Sequence, residues 1–493
     1  MNLAKAWVPS VKKRGSCVVS LLLTGLFFVP FAQSDNEDNN NSASLKLRNY
    51  YQDRRAVGQS SSYIESTSGR AVNTQDKQRA WGQGLEVNVQ SLMLGSEHFG
   101  VGMDFSVYGG LKLLGDKVEY GTTINKESAP YYSVMDDQYI ADQESYIKLG
   151  KICAKGFVGE EGQKLSAILG WHSIERTLTQ TYHRLTPTTF QGASIDGELG
   201  GLDIYGSWYN QVSRYNHDKM EHLTSPEGGV KGRLEKHQQI DYVYTVGGRY
   251  GHESGFGTEL AYAESESYLR LYHVNLNYTF DLSDSKALWV EGQFYKGQSN
   301  GDKWKRAGRT VGGFDSEADL YNLNAKLTLD MLAIKASYSQ VKAHKKSGLG
   351  VFDYHLAYEA GADYDDLGYG TKRQLSEFNH NGEKVWQAGF LYAFNSFGAP
   401  GLSLGYTYTA GRDIKASSPD YSGSYKESEH NVEVGYDFQQ RQLKGLGIRL
   451  QYARHNADKE LSQIKSEQSG KSDYHNEGGT DLRVFIDYSI SVF

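Results

Sequence analysis

Basic residues recur on one face of SLKLRNYYQDRR (44–55). Lys46, Arg48 and Arg54 share a phase, and Leu45 and Leu47 occupy the other. In a strand, residues two apart point to the same side, so this spacing builds a cationic ladder backed by an apolar face. Arg449 in GIRLQY and Arg483 in DLRVF fall on the same polar phase, as do Lys148, Lys326 and Lys335. Acidic residues on that phase, Asp203, Asp241, Glu259 and Glu291, cluster in the middle of the chain. If the strands close into a ring, the first and last become neighbours. A basic wall then faces a largely acidic one across the lumen, with Glu433, Asp437, Asp481 and Asp487 partly neutralising the basic side. Guanidinium groups grip carboxylates bidentately, and charged ladders are how pores select solutes. Any single Lys or Arg also has a simpler reading as one half of a salt bridge within the wall.

Bond-making chemistry has no comparable signal. The 14 His form no HExxH and sit in no paired-Cys context, so no zinc site and no cofactor are expected. A Walker loop and a convincing Ser/His/Asp grouping are absent, so the chain does not read as an enzyme. The formal net charge of -7 comes with no basic patch for nucleic acid.

The elements that must carry the ladder are strands. Leu402, Leu404, Tyr406 and Tyr408 alternate with Ser403, Gly405, Thr407 and Thr409, and Val432, Val434, Tyr436 and Phe438 alternate with polar partners. Period two with one polar face marks strands that are half in water. About 18 such segments begin near residues 43, 79, 98, 143, 163, 190, 202, 236, 256, 268, 287, 317, 332, 384, 401, 428, 446 and 480. Short links such as LGG (199–201) alternate with long polar ones such as 112–142, 175–189 and 345–383, the link near 266 being the exception. That rhythm, with strands of about ten residues or more, belongs to a transmembrane antiparallel β-barrel. The sheet must close, because an open edge in lipid leaves backbone groups unpaired. Tyr50, Tyr51, Trp81, Trp171, Trp208, Trp289 and Trp386, near strand ends, read as an interfacial girdle. A wide barrel needs a constriction, and the candidates are 175–189, with Arg176, His183 and Arg184, and the Tyr-rich link 345–383.

Composition agrees. The 493 residues are 39% hydrophobic and 23% charged, with 55 Gly, 7 Pro and 36 Tyr, which suits strands and tight bends rather than membrane helices or disorder. Lys5, Lys12, Lys13 and Arg14 precede CVVSLLLTGLFFVPFA, and Ala32-Gln33-Ser34 fits a cleavage site, so residues 1–34 read as a secretory signal peptide. Its loss removes four basic residues and takes the formal net charge from -7 to -11. Cys153 is then left without a disulfide partner. Residues 35–42 form a short polar leader, and 43–493 a single all-β domain.

SLKLRNYYQDRR, WGQGLEVNVQS (81–91), GVGMDFSVYGGLKLLGDK (100–117), RLTPTTFQGASI (184–195), NGEKVWQAGFLYAF with APGLSLGYTYTAGRDI (381–414), YARHNADK (452–459) and RVFIDYSISVF together resemble the OprD-like outer-membrane porins, in the same order over nearly all of the mature chain. The resemblance implies an eighteen-strand barrel narrowed by inward loops, with a basic ladder conducting small solutes. Arg48 and Arg54 or Arg55 match the start of that ladder, Lys148 its basic position in IKLGK, and Arg184 the position before PTTFQG. Members similar to it divide between carboxylates, such as amino acids or aromatic acids, and chitin oligosaccharides. LRNYY points to the first and FNHNGEK (378–384) to the second. The expectation is a passive channel in the outer membrane of a Gram-negative cell, bathed by its lipids, monomeric or trimeric. The rival of another class is an enzyme or adhesin that uses the barrel as an anchor.

Overall fold

Alternation along each strand decides the architecture. In the computed structural model, Leu85, Val87 and Val89 are each 39% exposed, as are Val101, Met103, Leu260 and Leu323 at more than half, while the residues between them turn inward. Apolar surface on this scale does not persist in water. It belongs against hydrocarbon. The structure describes residues 42–491 apart from 58–62, 65–70, 73–76, 116–117, 120–123, 128–130, 134–137, 182, 227, 231–232, 236–237, 252–254, 309–312, 360–361, 364, 418–420 and 465–477. Residues 1–41, where the signal peptide and most of the polar leader are expected, and Val492 and Phe493 lie outside the described residues.

Eighteen antiparallel strands form a closed barrel. They are β1 (Ser42–Val57), β2 (Lys77–Gln90), β3 (Phe99–Gly115), β4 (Tyr146–Glu160), β5 (Gln163–His172), β6 (Thr189–Leu199), β7 (Leu202–Ser213), β8 (Val243–Tyr250) and β9 (Gly255–Ser265). The second half comprises β10 (Leu269–Ser283), β11 (Lys286–Ser299), β12 (Glu317–Leu329), β13 (Leu332–Lys342), β14 (Lys384–Ala393), β15 (Leu402–Ile414), β16 (Tyr425–Asp437), β17 (Leu446–Ala457) and β18 (Gly478–Ser491). Each strand pairs with the next, and β1 pairs with β18 from Ser44↔Ser491 to Val57↔Gly478, which closes the ring. The apolar face of the last strand therefore meets lipid, and its other face carries Asp481, Arg483, Phe485 and Asp487 inward.

Most predicted strand starts lie within three residues of those observed. The eighth does not: it is expected near 236 and begins at Val243. Gln239 and Ile240 pair instead with Thr224 and Leu223 of the preceding loop, so this stretch belongs to the mouth. The girdle is also smaller than expected. Trp81, Trp208 and Trp386 are exposed at 41%, 44% and 64%, whereas Tyr50 and Trp171 are buried. Trp289 shares the inward phase of Glu291 and stacks near the Lys326 ammonium.

Three long loops, L3 (173–188), L4 (214–242) and L7 (343–383), fold into the mouth and are held by an apolar core inside the barrel. Ile174 and Leu178 of L3, Leu223 and Ile240 of L4, and Phe352, Tyr354, Leu356 and Leu367 of L7 pack with Phe190, Tyr209, Val212, Leu271, Tyr295, Leu320 and Val341 of the wall. Trp304 of the short helix α1 (Asp302–Gly308) joins them. Burial of this kind gives roughly 1.5–3 kcal/mol per large side chain, enough to order loops that would otherwise stay solvated.

Candidate functional site

L3 and L7 meet. Gln180 and Thr181 pair with Asp366 and Asp365 as a two-stranded ribbon, so the two segments expected to constrict the pore are hydrogen-bonded to each other. L7 also reaches L4, through Thr224↔Tyr358.

The wall makes room for L3 by sequence. Gly84 on β2 is in ordinary extended backbone, yet a Cβ there would lie 2.2 Å from the Leu185 carbonyl oxygen. Leu185 itself packs with Tyr50, Ala80 and Ile124. Opposite Gly84 stands Arg48. Its Nε and Nη2 donate to Asp487 at 2.6 and 3.3 Å, and Nη1 donates to the His183 and Arg184 carbonyls, each at 3.0 Å. The group is thus a clasp between wall and loop. Lys148 acts similarly: it is buried and donates to the Pro187 and Arg214 carbonyls at 3.0 and 2.5 Å.

The next rung differs. Arg483 bonds Asp481 at 2.7 Å, and Arg54 lies 3.9 Å from the same carboxylate, so two cations share one anion. Both guanidinium groups also donate to the Gln374 carbonyl of L7, at 3.4 and 3.2 Å. Arg184 completes the group: with Arg54 and Arg483 it acts electrostatically on the Tyr50 hydroxyl. Tyr50 stacks on Phe485 at 4.2 Å, and Arg48 and Arg449 lie 5.9 and 6.0 Å from the centre of that ring. Lys46, beside Glu86 and Ser489, prolongs the inward row. Arg55, the alternative to Arg54 in the sequence, points away and pairs with Asp53.

The far wall is not the acidic surface that the sequence suggests. Glu259 accepts from Thr177 and Tyr205 and lies 3.8 Å from Arg249, which itself stands opposite Asp203. Glu291 accepts from Asn275 and Asn324 at 2.5 and 2.8 Å. Buried Arg176 of L3 forks onto Asp196 at 2.6 and 3.0 Å, and Lys326 and Lys335 are cross-strand partners on this same side. Asp241 is not on the wall. It is exposed ahead of β8, where Gln239 donates to its carboxylate. Its phase matches the strand, but the strand starts two residues later. Sequence reading also passes over Phe485 and Gln374, because a single aromatic or amide residue carries no motif.

In L7 the half-buried Glu377 carboxylate accepts from Lys372 and Tyr354, both at 2.7 Å. Burial pushes this acid up, but the charges of Lys372 and His355 and those hydrogen bonds outweigh it and hold the carboxyl below its ordinary value.

Comparison with known proteins follows the geometry. A family profile described as "outer membrane porin, OprD family" matches residues 37–492. Porin D of Pseudomonas aeruginosa is 26% identical over 471 residues, covering 92% of this chain and 91% of that protein. Chitoporin of Escherichia coli K12 is 25% identical over 332 residues, covering 64% and 66%. Among solved structures, Pseudomonas aeruginosa OccK8 (OprE) superposes with a TM-score of 0.68 at 19% identity, over 92% of this chain and 98% of that one. OprD of the same species gives 0.65 at 23% identity, over 92% and 96%. These structural likenesses speak for the fold. The family match, spanning nearly the whole barrel, removes the enzyme and the anchored adhesin from consideration: the chain belongs to the OprD family of outer membrane porins, channels through which small solutes diffuse.

Proposed function

We propose that the channel favours small solutes bearing a carboxylate, and that Arg54, Arg184 and Arg483 form the step at which that group is held. The observation that carries this reading is the unequal sharing at Asp481, where two guanidinium groups meet one carboxylate with a third cation nearby. A solute carboxylate is gripped by guanidinium N–H groups and leaves again, because Asp481 keeps its own partners. Lys46 and Arg449 extend the row on either side, and Arg48 and Lys148 hold L3 in place. Asp203, Glu259 and Glu291 line the opposite side, in contact with cations and amides of their own. The mature chain begins after Ser34, which amino-terminal sequencing of the membrane-embedded protein checks.

A second reading, uptake of chitin oligosaccharides, is favoured by the likeness to Chitoporin. Sugars need open aromatic faces to stack on. Here Tyr205, Tyr215, Tyr295, Tyr354 and Tyr369 are all at or below 5% exposure, so the carboxylate reading is preferred. Planar-bilayer recordings separate them: an aromatic carboxylate or an amino acid should interrupt the current at concentrations where a chitin oligosaccharide does not. Block by the oligosaccharide alone would reverse the assignment.

A further inference from the structure

L7 ends on the barrel wall at a cluster that includes none of Arg54, Arg184 and Arg483. His380 and Glu383 are the fourth- and first-from-last residues of the loop, and Glu427 is the third residue of β16. His380 Nδ1 lies 3.4 Å from Glu383 Oε2 and 3.2 Å from Glu427 Oε1, and one donor atom from each residue lies within 4.8 Å of the others. Both glutamate side chains are 0% exposed and the imidazole is 10% exposed. No spaced motif announces this set, because one donor comes from a strand some forty residues further on.

We propose that His380, Glu383 and Glu427 bind one divalent transition-metal ion of the zinc class, which ties the end of L7 to the wall. Zinc bonds to imidazole and carboxylate donors are about 2.0–2.2 Å long, and an ideal tetrahedron of such bonds has edges of about 3.3–3.6 Å. Two edges of the triangle, at 3.4 and 3.2 Å, are already close to that length. The third edge lies within 4.8 Å, and a water supplies the fourth ligand. Calcium, which takes six to eight oxygen ligands at roughly 2.3–2.6 Å, does not match three donors that include a nitrogen.

Charge supports the same assignment. Two carboxylates removed from water need compensation, and a divalent ion supplies all of it with both neighbouring imidazoles neutral. The supporting shell is also in place. Glu427 Oε2 accepts from Ser376 Oγ and lies 2.7 Å from His455 Nε2, an arrangement that fixes a ligating carboxylate. The His380 backbone N–H donates to Glu383 Oε2 at 3.0 Å. Glu383 Oε1, fully buried, has no hydrogen-bond partner. That oxygen sits where a Cβ on Gly411 would lie 1.8 Å away, so glycine at this position on β15 is what admits the carboxylate.

The test uses the full-length protein in detergent, without a histidine tag, stripped with a chelator and titrated with zinc against a fluorescent zinc indicator. One zinc per chain should bind. Glu383→Gln, which keeps shape and burial, and His380→Ala should each weaken it at least ~10-fold, with strand content by circular dichroism unchanged. A cobalt-loaded sample should show the visible absorption of four-coordinate nitrogen and oxygen ligation and lose it in both variants. No stoichiometric zinc uptake, or uptake that neither variant weakens, overturns the proposal and leaves a shared proton as the link between these groups. The readout involves no solute flux, so it is independent of which solute the channel prefers.

Discussion

Arg48 has every donor direction but one engaged, between Asp487 and two loop carbonyls. Charge reversal there therefore tests the position of L3 before it tests selectivity. Arg48→Gln should leave Asp487 and the two carbonyls short of donors and cost about 2–4 kcal/mol, read as a lower denaturant midpoint for the detergent-folded protein. Arg483 is the residue whose loss tests selectivity. Arg483→Gln should lower the anion-to-cation permeability ratio on the order of fivefold at low salt, since a unit charge at about 4 Å in water is worth about 1 kcal/mol. The reversal potential under a potassium chloride gradient measures it, and an unchanged potential would remove Arg483 from the site.

At the scale of elements, the constriction depends on two loops that the wall is shaped to receive. A side chain larger than hydrogen on Gly84 collides with the backbone of Leu185. Gly84→Val should therefore lift L3 from β2, change single-channel conductance and open residues 173–188 to proteolysis, with the barrel itself intact. L7 has an electrostatic lock in Glu377, Lys372 and Tyr354. Because the folded carboxyl is held below its ordinary value, its contribution to stability is present above about pH 4.5 and is lost as pH falls through the depressed value. Conductance should thus be steady from neutral pH to about 4.5 and change only in more acid solution, and Glu377→Gln should abolish that acid transition.

For the whole molecule, closure is the condition for everything else. Every register position from Ser44 to Val57 on β1 is paired with β18. A chain ending at residue 477 would expose that edge to hydrocarbon, at several kcal/mol for each unpaired group. It should fail to give a resistant β-sheet product on refolding in detergent, whereas the intact chain succeeds. Trypsin digestion followed by circular dichroism distinguishes the two.

The strand count and two of the three loops that fold into the mouth were legible in the sequence. They were legible because alternation and link length are local properties, which the bilayer imposes on each strand separately. The role of each inward charge was not. Arg48 meets Asp487 across 439 positions of chain, and Arg483 meets the Gln374 carbonyl across 109. Which cations are saturated, why Asp241 misses the wall, and how His380 and Glu383 come to face Glu427 all depend on distant segments being brought together. That is a consequence of barrel closure and loop packing, which no local pattern encodes.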